Sequence, residues 1–241
     1  MIEPKLWEAV GVAIAAQAAG VGVAWGVQEG LVGGFLDSLP TEPTQGERIA
    51  PWAVLDSLYR RIDESKVDEP YPAALAREIG LRIKPGSYRV RFGREFDDPL
   101  EERAIIIAPY GVRPACELPL QVWRFVARFL RSYGRPVYLL GDENSRLDIA
   151  SFSEGDLLGR QSFDTIMSTI VHSLAVIGVA NEWTWLTASL DKRMVLVYPD
   201  SQPKRRWFWY PSPKIGRVEF ISSNVQVPII LTGLRKAFEI L

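Results

Sequence analysis

The residues best placed to do chemistry sit in one turn, Asn181-Glu182-Trp183-Thr184-Trp185, between an apolar run (Leu174–Val179) and a short helical run ending at Leu190. A strand running straight into a helix leaves the first N–H groups of that helix unpaired at the carboxyl edge of the sheet. Such a helix start attracts anions, and open α/β sheets bind ligands at that edge. This turn is therefore the expected seat of any phosphate-bearing ligand. A second group follows Pro199, where Lys204, Arg205 and Arg206 stand beside Trp207, Phe208, Trp209 and Tyr210. Cations interleaved with aromatics can hold single-stranded nucleic acid by charge and stacking. The same residues can equally form a loop whose rings pack inward and whose cations are solvated.

Other chemistry is poorly supplied. The single histidine, His172, and single cysteine, Cys116, argue against a His/Cys metal site. Cys–His or Ser–His catalysis would have to use His172, which falls at a helix–strand junction and is expected to be a partly buried structural residue. One cysteine forms no intrachain disulfide and fits a reducing compartment. With a net charge of −1, no global attraction to nucleic acid or anionic membrane follows.

The elements that must position the turn can be read from periodicity. At 241 residues, 47% apolar and 24% charged, the chain can form one large α/β domain or two small ones. Ala9–Val27 is long enough to span a bilayer, but it is built of Ala, Gly and Val around Gln17 and has no basic flank. It is expected to be a buried helix followed by a strand (Val21–Val27), with no integral membrane segment and a cytoplasmic location. Gln28–Leu39 reads as a second helix, Ala53–Asp63 and Ala73–Ile79 as further helices, and Tyr88–Phe92 as an alternating strand. The charged stretch Arg94–Arg103 reads as a linker.

From Ala104 the order strand, loop, helix recurs. Ile105–Ala108, Val137–Leu140, Leu174–Val179 and Met194–Tyr198 read as buried parallel strands. The helices are Leu120–Tyr133, with Val122, Trp123, Phe125, Val126, Phe129 and Leu130 inward, then Phe163–His172 and Trp183–Leu190. A brief extended piece falls at Leu157–Gly159, and the chain closes with a strand-like piece from Val225 and a helix, Ile230–Leu241. This is a Rossmann-like half, its loops converging on one sheet edge.

With those loops placed, residues 104–199 resemble the C-terminal domain of glycosyltransferase family 9, the ADP-heptose heptosyltransferases. IIIAPYGVRPACELPLQVWRFVARFL follows the family's layout of apolar strand, small-residue loop and aromatic-bearing helix, and VYLLGDEN its glycine-ended strand with an acidic loop. VIGVANEWTWLTASLDKR is similar to the family's V-G-x-x-(S/T)-G-P-x-H-L-A-A-x-L-G-K-P, with Leu186, Ala188, Leu190 and Lys192 in register. Where the family has Gly-Pro-x-His this chain has Glu182-Trp183-Thr184-Trp185. The family's early Gly-Asp motif has no match in residues 1–100.

The resemblance implies an α/β, GT-B-like protein: a reduced N-terminal α/β domain on the acceptor side (residues 1–100) and a Rossmann-like nucleotide-sugar-binding domain with a parallel sheet (residues 101–241). The donor is then a nucleotide-sugar, with no other cofactor and no metal, and the acceptor a glycan or a modified nucleic acid. Donor contacts would come from Tyr110, Gly111 and Arg113, from Gly141, Asp142 and Glu143, and from Asn181, Glu182, Trp183 and Thr184. In this scheme Asn181–Thr184 offer N–H groups to the diphosphate, Arg113 neutralises the leaving group, and Asp142 or Glu143 binds a ribose diol. The catalytic base is unassigned, with Glu29 as its candidate. Two other readings stay open: a non-catalytic GT-B-derived binding or assembly module with Trp183 and Trp185 filling the donor cleft, and a nucleotide-binding enzyme of another class.

Overall fold

The computed structural model describes residues 6–19, 22–23, 30–40, 48–49, 76–77, 80, 82, 89–96, 104–110, 118–141, 155–158, 162–179, 181–199, 215–220 and 227–239. The chain divides into two compact units, Met1–Glu95 with Pro203–Ser212, and Phe96–Gln202 with Pro213–Leu241.

In the first unit, α1 (Leu6–Ala19) and α2 (Gly30–Asp37) accompany two short parallel strands, β1 (Gly22–Val23) and β2 (Arg48–Ile49). The middle of α1, Ala9 to Ala16, is buried, as its Ala/Val composition requires. No described helix is long and apolar enough to cross a membrane. Gln17, the polar residue at the end of that apolar stretch, has a clear role. Its Nε2 donates to the Arg91 carbonyl at 2.9 Å and its Oε1 accepts from the Arg91 N–H at 2.7 Å. One side-chain amide thus takes both backbone groups of Arg91, as a neighbouring strand would.

That contact corrects the expected strand at Tyr88–Phe92. Burial does alternate, with Arg89 and Arg91 exposed and Val90 buried, but residues 89–92 join no ladder among the described residues. Phe92 instead meets Phe35 edge-on, ring centroids 6.2 Å apart, and Gly93 donates to the Ser38 carbonyl at 2.9 Å. A Cβ on Gly93 would stand 2.9 Å from the Pro40 Cα, so this crossing requires glycine. The expected helix at Ala53–Asp63 and most of Val21–Val27 lie outside the described residues.

Among the described residues, the second unit carries six parallel strands: β3 (Ile105–Ala108), β4 (Val137–Gly141), β5 (Gly155–Leu158), β6 (Ala175–Gly178), β7 (Met194–Pro199) and β8 (Ile215–Phe220). Their spatial order is β5-β4-β3-β6-β7-β8. The chain builds outward from β3 in one direction and then returns to build from β6 in the other. This is the doubly wound Rossmann order, and its reversal lies between β3 and β6. Strand β8 is one that periodicity did not announce, and the start of the strand-like piece expected from Val225 lies outside the described residues. Pairing of Met194–Pro199 with Ile215–Phe220 along its whole length puts β8 at the sheet margin.

Among the described residues, four helices flank this sheet: α3 (Leu120–Arg131), α4 (Phe163–His172), α5 (Glu182–Ser189) and α6 (Val227–Glu239). One core cluster joins Ile105, Ile107, Val137, Leu139, Ile177 and Val195 to Val122, Trp123, Val126 and Leu130 of α3 and to Ile230 and Leu234 of α6. The alternate strand residues, Ile106, Leu140, Val176 and Leu196, are also buried and point to the opposite face. Two covered faces are what an all-parallel sheet needs, and they explain the continuous apolar runs.

The turn that follows α3 closes at Gly134, which donates to the Arg131 carbonyl at 2.9 Å and whose φ of +70° favours glycine. Phe125, expected inward, is 48% exposed, because the buried stripe is the narrower set Val122, Trp123, Val126, Ala127 and Leu130. Helix α4 starts at Ser162, whose hydroxyl accepts from the Thr165 N–H at 3.2 Å. At its far end Lys192 Nζ donates to the Val171 carbonyl at 2.6 Å, placing a cation where the helix dipole is negative. His172 is held by its Nε2, 3.0 Å from the Phe96 carbonyl, and is part-buried, as the sequence suggested for a structural histidine.

Candidate functional site

The reversal of strand order between β3 and β6 opens the crevice where doubly wound sheets bind ligands. Ala108 of β3 pairs with Gly178 of β6 at the carboxyl edge, and the ladder continues with Val179 N–H donating to the Ala108 carbonyl at 3.1 Å. A Cβ on Gly178 would lie 2.5 Å from the Ala108 oxygen and 2.9 Å from both Ala108 Cβ and Thr184 Cγ2. Only glycine allows β3, β6 and the start of α5 to come this close.

The turn into α5 is a reciprocal cap. Asn181 Oδ1 accepts from the Thr184 N–H at 2.9 Å, and Thr184 Oγ1 accepts from the Asn181 N–H at 3.0 Å. The single hydroxyl proton of Thr184 is shared between the carbonyls of Asn181 (2.9 Å) and Val179 (3.0 Å). The other half of the Asn181 amide faces away from the helix. Its Nδ2 donates to the Tyr110 carbonyl at 2.8 Å and to the Ala108 carbonyl at 3.3 Å. One buried asparagine therefore caps a helix and ties the end of β6 to the end of β3 across the crevice.

This geometry divides the expected site residues. Tyr110, Asn181 and Thr184 come together at adjacent strand ends, and Gly141 ends β4, the other neighbour of β3. Tyr110 is half-buried, and its carbonyl is oriented by Asn181. The polar atoms of Asn181 and Thr184 are all engaged within the protein, so their side chains serve alignment. The capping box takes the N3 amide of α5 and leaves the N1 and N2 amides, of Glu182 and Trp183, outside it. Trp183 and Trp185 are 2% and 5% exposed, and the whole of α5 from Trp183 to Ser189 is buried. Its inner hydroxyls are satisfied locally: Thr187 donates to the Trp183 carbonyl and Ser189 to the Leu186 carbonyl, both at 2.7 Å. Gly111, Arg113, Asp142, Glu143, Glu29, Lys204, Arg205, Arg206 and Trp207 lie outside the described residues. Among the described residues no group of three or more His, Cys, Asp or Glu could hold a metal ion.

Sequence reasoning had missed one residue of this site, Gly178, and the capping role of another, Thr184, which it had placed among the donor contacts. The need for Gly178 arises from Ala108, far earlier in the chain, so no local spacing reveals it. The Thr184 hydroxyl was legible: Asn followed three residues later by Thr, ahead of an apolar run, is a variant of the capping-box pattern.

Comparison with known proteins gives no matching family model and no matching curated protein. Solved structures do match. The E. coli heptosyltransferase WaaC with ADP superposes with a TM-score of 0.55 at 16% identity, over 69% of this chain and 55% of that one. The E. coli ADP-heptose LPS heptosyltransferase II matches with a TM-score of 0.55 at 13% identity, over 96% and 94% of the two chains. A glycosyltransferase family 9 protein of Veillonella parvula DSM 2008 matches with a TM-score of 0.57 at 11% identity, over 97% and 76%. The fold is similar to that of these glycosyltransferases. It is an α/β fold of the GT-B type, as the layout of residues 104–199 had implied. This chain spans 55% of the length of WaaC, and identities of this size speak for the fold alone.

Proposed function

We propose that residues 101–241 bind a nucleotide-sugar at the carboxyl edge between β3 and β6, and that the protein transfers its sugar to a glycan or a modified nucleic-acid acceptor recognised by residues 1–100. The observation that carries this reading is the start of α5 at the point where strand order reverses. There the N1 and N2 amides and the helix dipole favour a diphosphate. Asn181 acts indirectly by holding the Tyr110 carbonyl just beyond the end of β3. Arg113 balances the negative charge growing on the departing nucleoside diphosphate, and Asp142 or Glu143 accepts hydrogen bonds from the ribose. The acceptor hydroxyl oxygen attacks the anomeric carbon as its bond to the phosphate oxygen breaks, and Glu29 is the candidate to take the proton.

A second reading, a binding or assembly module of the same fold without catalysis, is favoured by the identity of the turn. Glu182 is the first residue of α5, and an unpaired carboxylate at that position would oppose a diphosphate. Thermal unfolding with ADP-, UDP- and GDP-sugars separates the two. Stabilisation by one of them, abolished by Arg113→Ala, together with release of free nucleoside diphosphate on adding acceptor, is the expected result. If no nucleotide-sugar shifts the transition, the non-catalytic reading stands in its place.

A further inference from the structure

The large hydrophobic side chains that stand exposed among the described residues lie on two helices and their ends. Phe125 (48% exposed) is on α3 and Tyr133 (51%) in the turn that follows it, while Ile229 (52%) is in the first turn of α6. Helices α3 and α6 pack together over one core cluster. Singly scattered apolar residues need no explanation, but their confinement to one adjoining helix pair does. Half-buried Phe129 extends the group, meeting Tyr133 edge-on with ring centroids 5.1 Å apart.

The charge on the same elements is predominantly positive, with Glu239 at the end of α6 as the one acid. Between Leu118 and Gly141 the sequence holds Arg124, Arg128, Arg131 and Arg135 and no Asp or Glu. Helix α6 adds Arg235 and Lys236, both exposed. The whole chain carries a net charge of −1, so this basic concentration is local and is not a consequence of composition.

We infer that the α3–α6 face docks on an anionic lipid membrane surface, with its cations at the headgroup phosphates and Phe125, Tyr133 and Ile229 in the acyl boundary. The cations set the sign of the partner. Exposed aliphatic and aromatic side chains beside them set its second property, an apolar layer under the charge, which is the pairing of interfacial helices. Single-stranded nucleic acid would use the cations and could stack on the rings. It would leave Ile229 and its exposed neighbour Pro228 without a matching contact. This docking is independent of any activity at the β3–β6 crevice.

The test is sedimentation of the full chain with phosphatidylglycerol vesicles and with phosphatidylcholine vesicles. Binding to the anionic vesicles alone, weakened by salt, is the expected result. Neutralising Arg235 and Lys236 together (Arg235→Gln, Lys236→Gln) should weaken it roughly 25-fold, from about fivefold per cation. Phe125→Ser with Ile229→Ser should lower the binding that survives at high salt. All four positions are exposed, so unchanged thermal unfolding of each variant shows that folding is intact. Absence of binding to phosphatidylglycerol, equal binding by the variants, or binding to single-stranded DNA in place of vesicles would overturn the inference.

Discussion

Asn181 donates to the carbonyl of Tyr110 at 2.8 Å, so the residue that begins α5 also fixes the end of β3. The bond spans the reversal point of the sheet, where the chain ends of two independently wound halves meet. It makes the crevice a positioned surface, because β3, β6 and α5 cannot move apart there without breaking both donations of the buried Asn181 amide. Burial raises the stakes of this arrangement, since a buried polar group that loses its partner is penalised by its full desolvation.

Asn181→Asp tests that role. The carboxylate can still accept from the Thr184 N–H, so the helix cap survives, but an oxygen then faces the carbonyls of Tyr110 and Ala108. A loss of about 2–3 kcal/mol is expected. It should appear as a lower urea midpoint with an unchanged denaturant slope. A loss no larger than that of an exposed Asn→Asp change would show that the bridge contributes nothing.

Gly178→Ala places a methyl group 2.5 Å from the Ala108 oxygen, a backbone atom with nowhere to retreat. Overpacking of this kind destabilises by about 1–3 kcal/mol. Because the strain falls on the β3–β6 pair, hydrogen exchange should quicken first at the Val179 amide, which bonds to Ala108. Uniform acceleration across the sheet would place the strain elsewhere.

How much of this was legible follows from what each residue senses. The core strands β3, β4, β6 and β7 were readable because burial on both faces makes them continuous apolar runs. Strand β8, with Arg217 and Glu219 inside Ile215–Phe220, sits at the margin of the sheet and has no such run. Phe125 was assigned inward by residue type, whereas the packing of α3 buries a narrower stripe that leaves it out. The position of the site was legible in the turn at Asn181, since a helix cap is a local pattern. Its internal bonding was not, because the partners of Asn181 and the neighbour of Gly178 belong to a strand far away in sequence.

Asp191 holds a left-handed backbone, φ +57°, at the end of α5. Its amide donates to the Ala188 carbonyl at 3.0 Å and the next amide, of Lys192, to the Thr187 carbonyl at 3.3 Å. In the glycosyltransferase family 9 pattern quoted above, the residue before this lysine is glycine, the one residue without a steric penalty in that conformation. Asp191→Gly and Asp191→Ala both remove the carboxylate and differ in the Cβ. The glycine variant should be the more stable of the two by about 1 kcal/mol, read from thermal unfolding. Equal stabilities would mean that the left-handed turn relaxes when the aspartate is lost.

Gln17 makes the prediction for the first unit. Its amide supplies both a donor and an acceptor to the backbone of Arg91, at 2.9 Å and 2.7 Å, in place of a strand partner. Gln17→Glu keeps the acceptor and loses the donor; Gln17→Ala loses both. Each net hydrogen bond contributes about 1 kcal/mol, so losses of about 1 and 2 kcal/mol are expected in that order. The Arg91 amide gives a sharper readout. It should stay protected from hydrogen exchange in Gln17→Glu, where an oxygen still accepts from it, and exchange freely in Gln17→Ala. Loss of protection in both variants would show that the donor half alone holds the segment, and retained protection in Gln17→Ala would show that some other contact holds it.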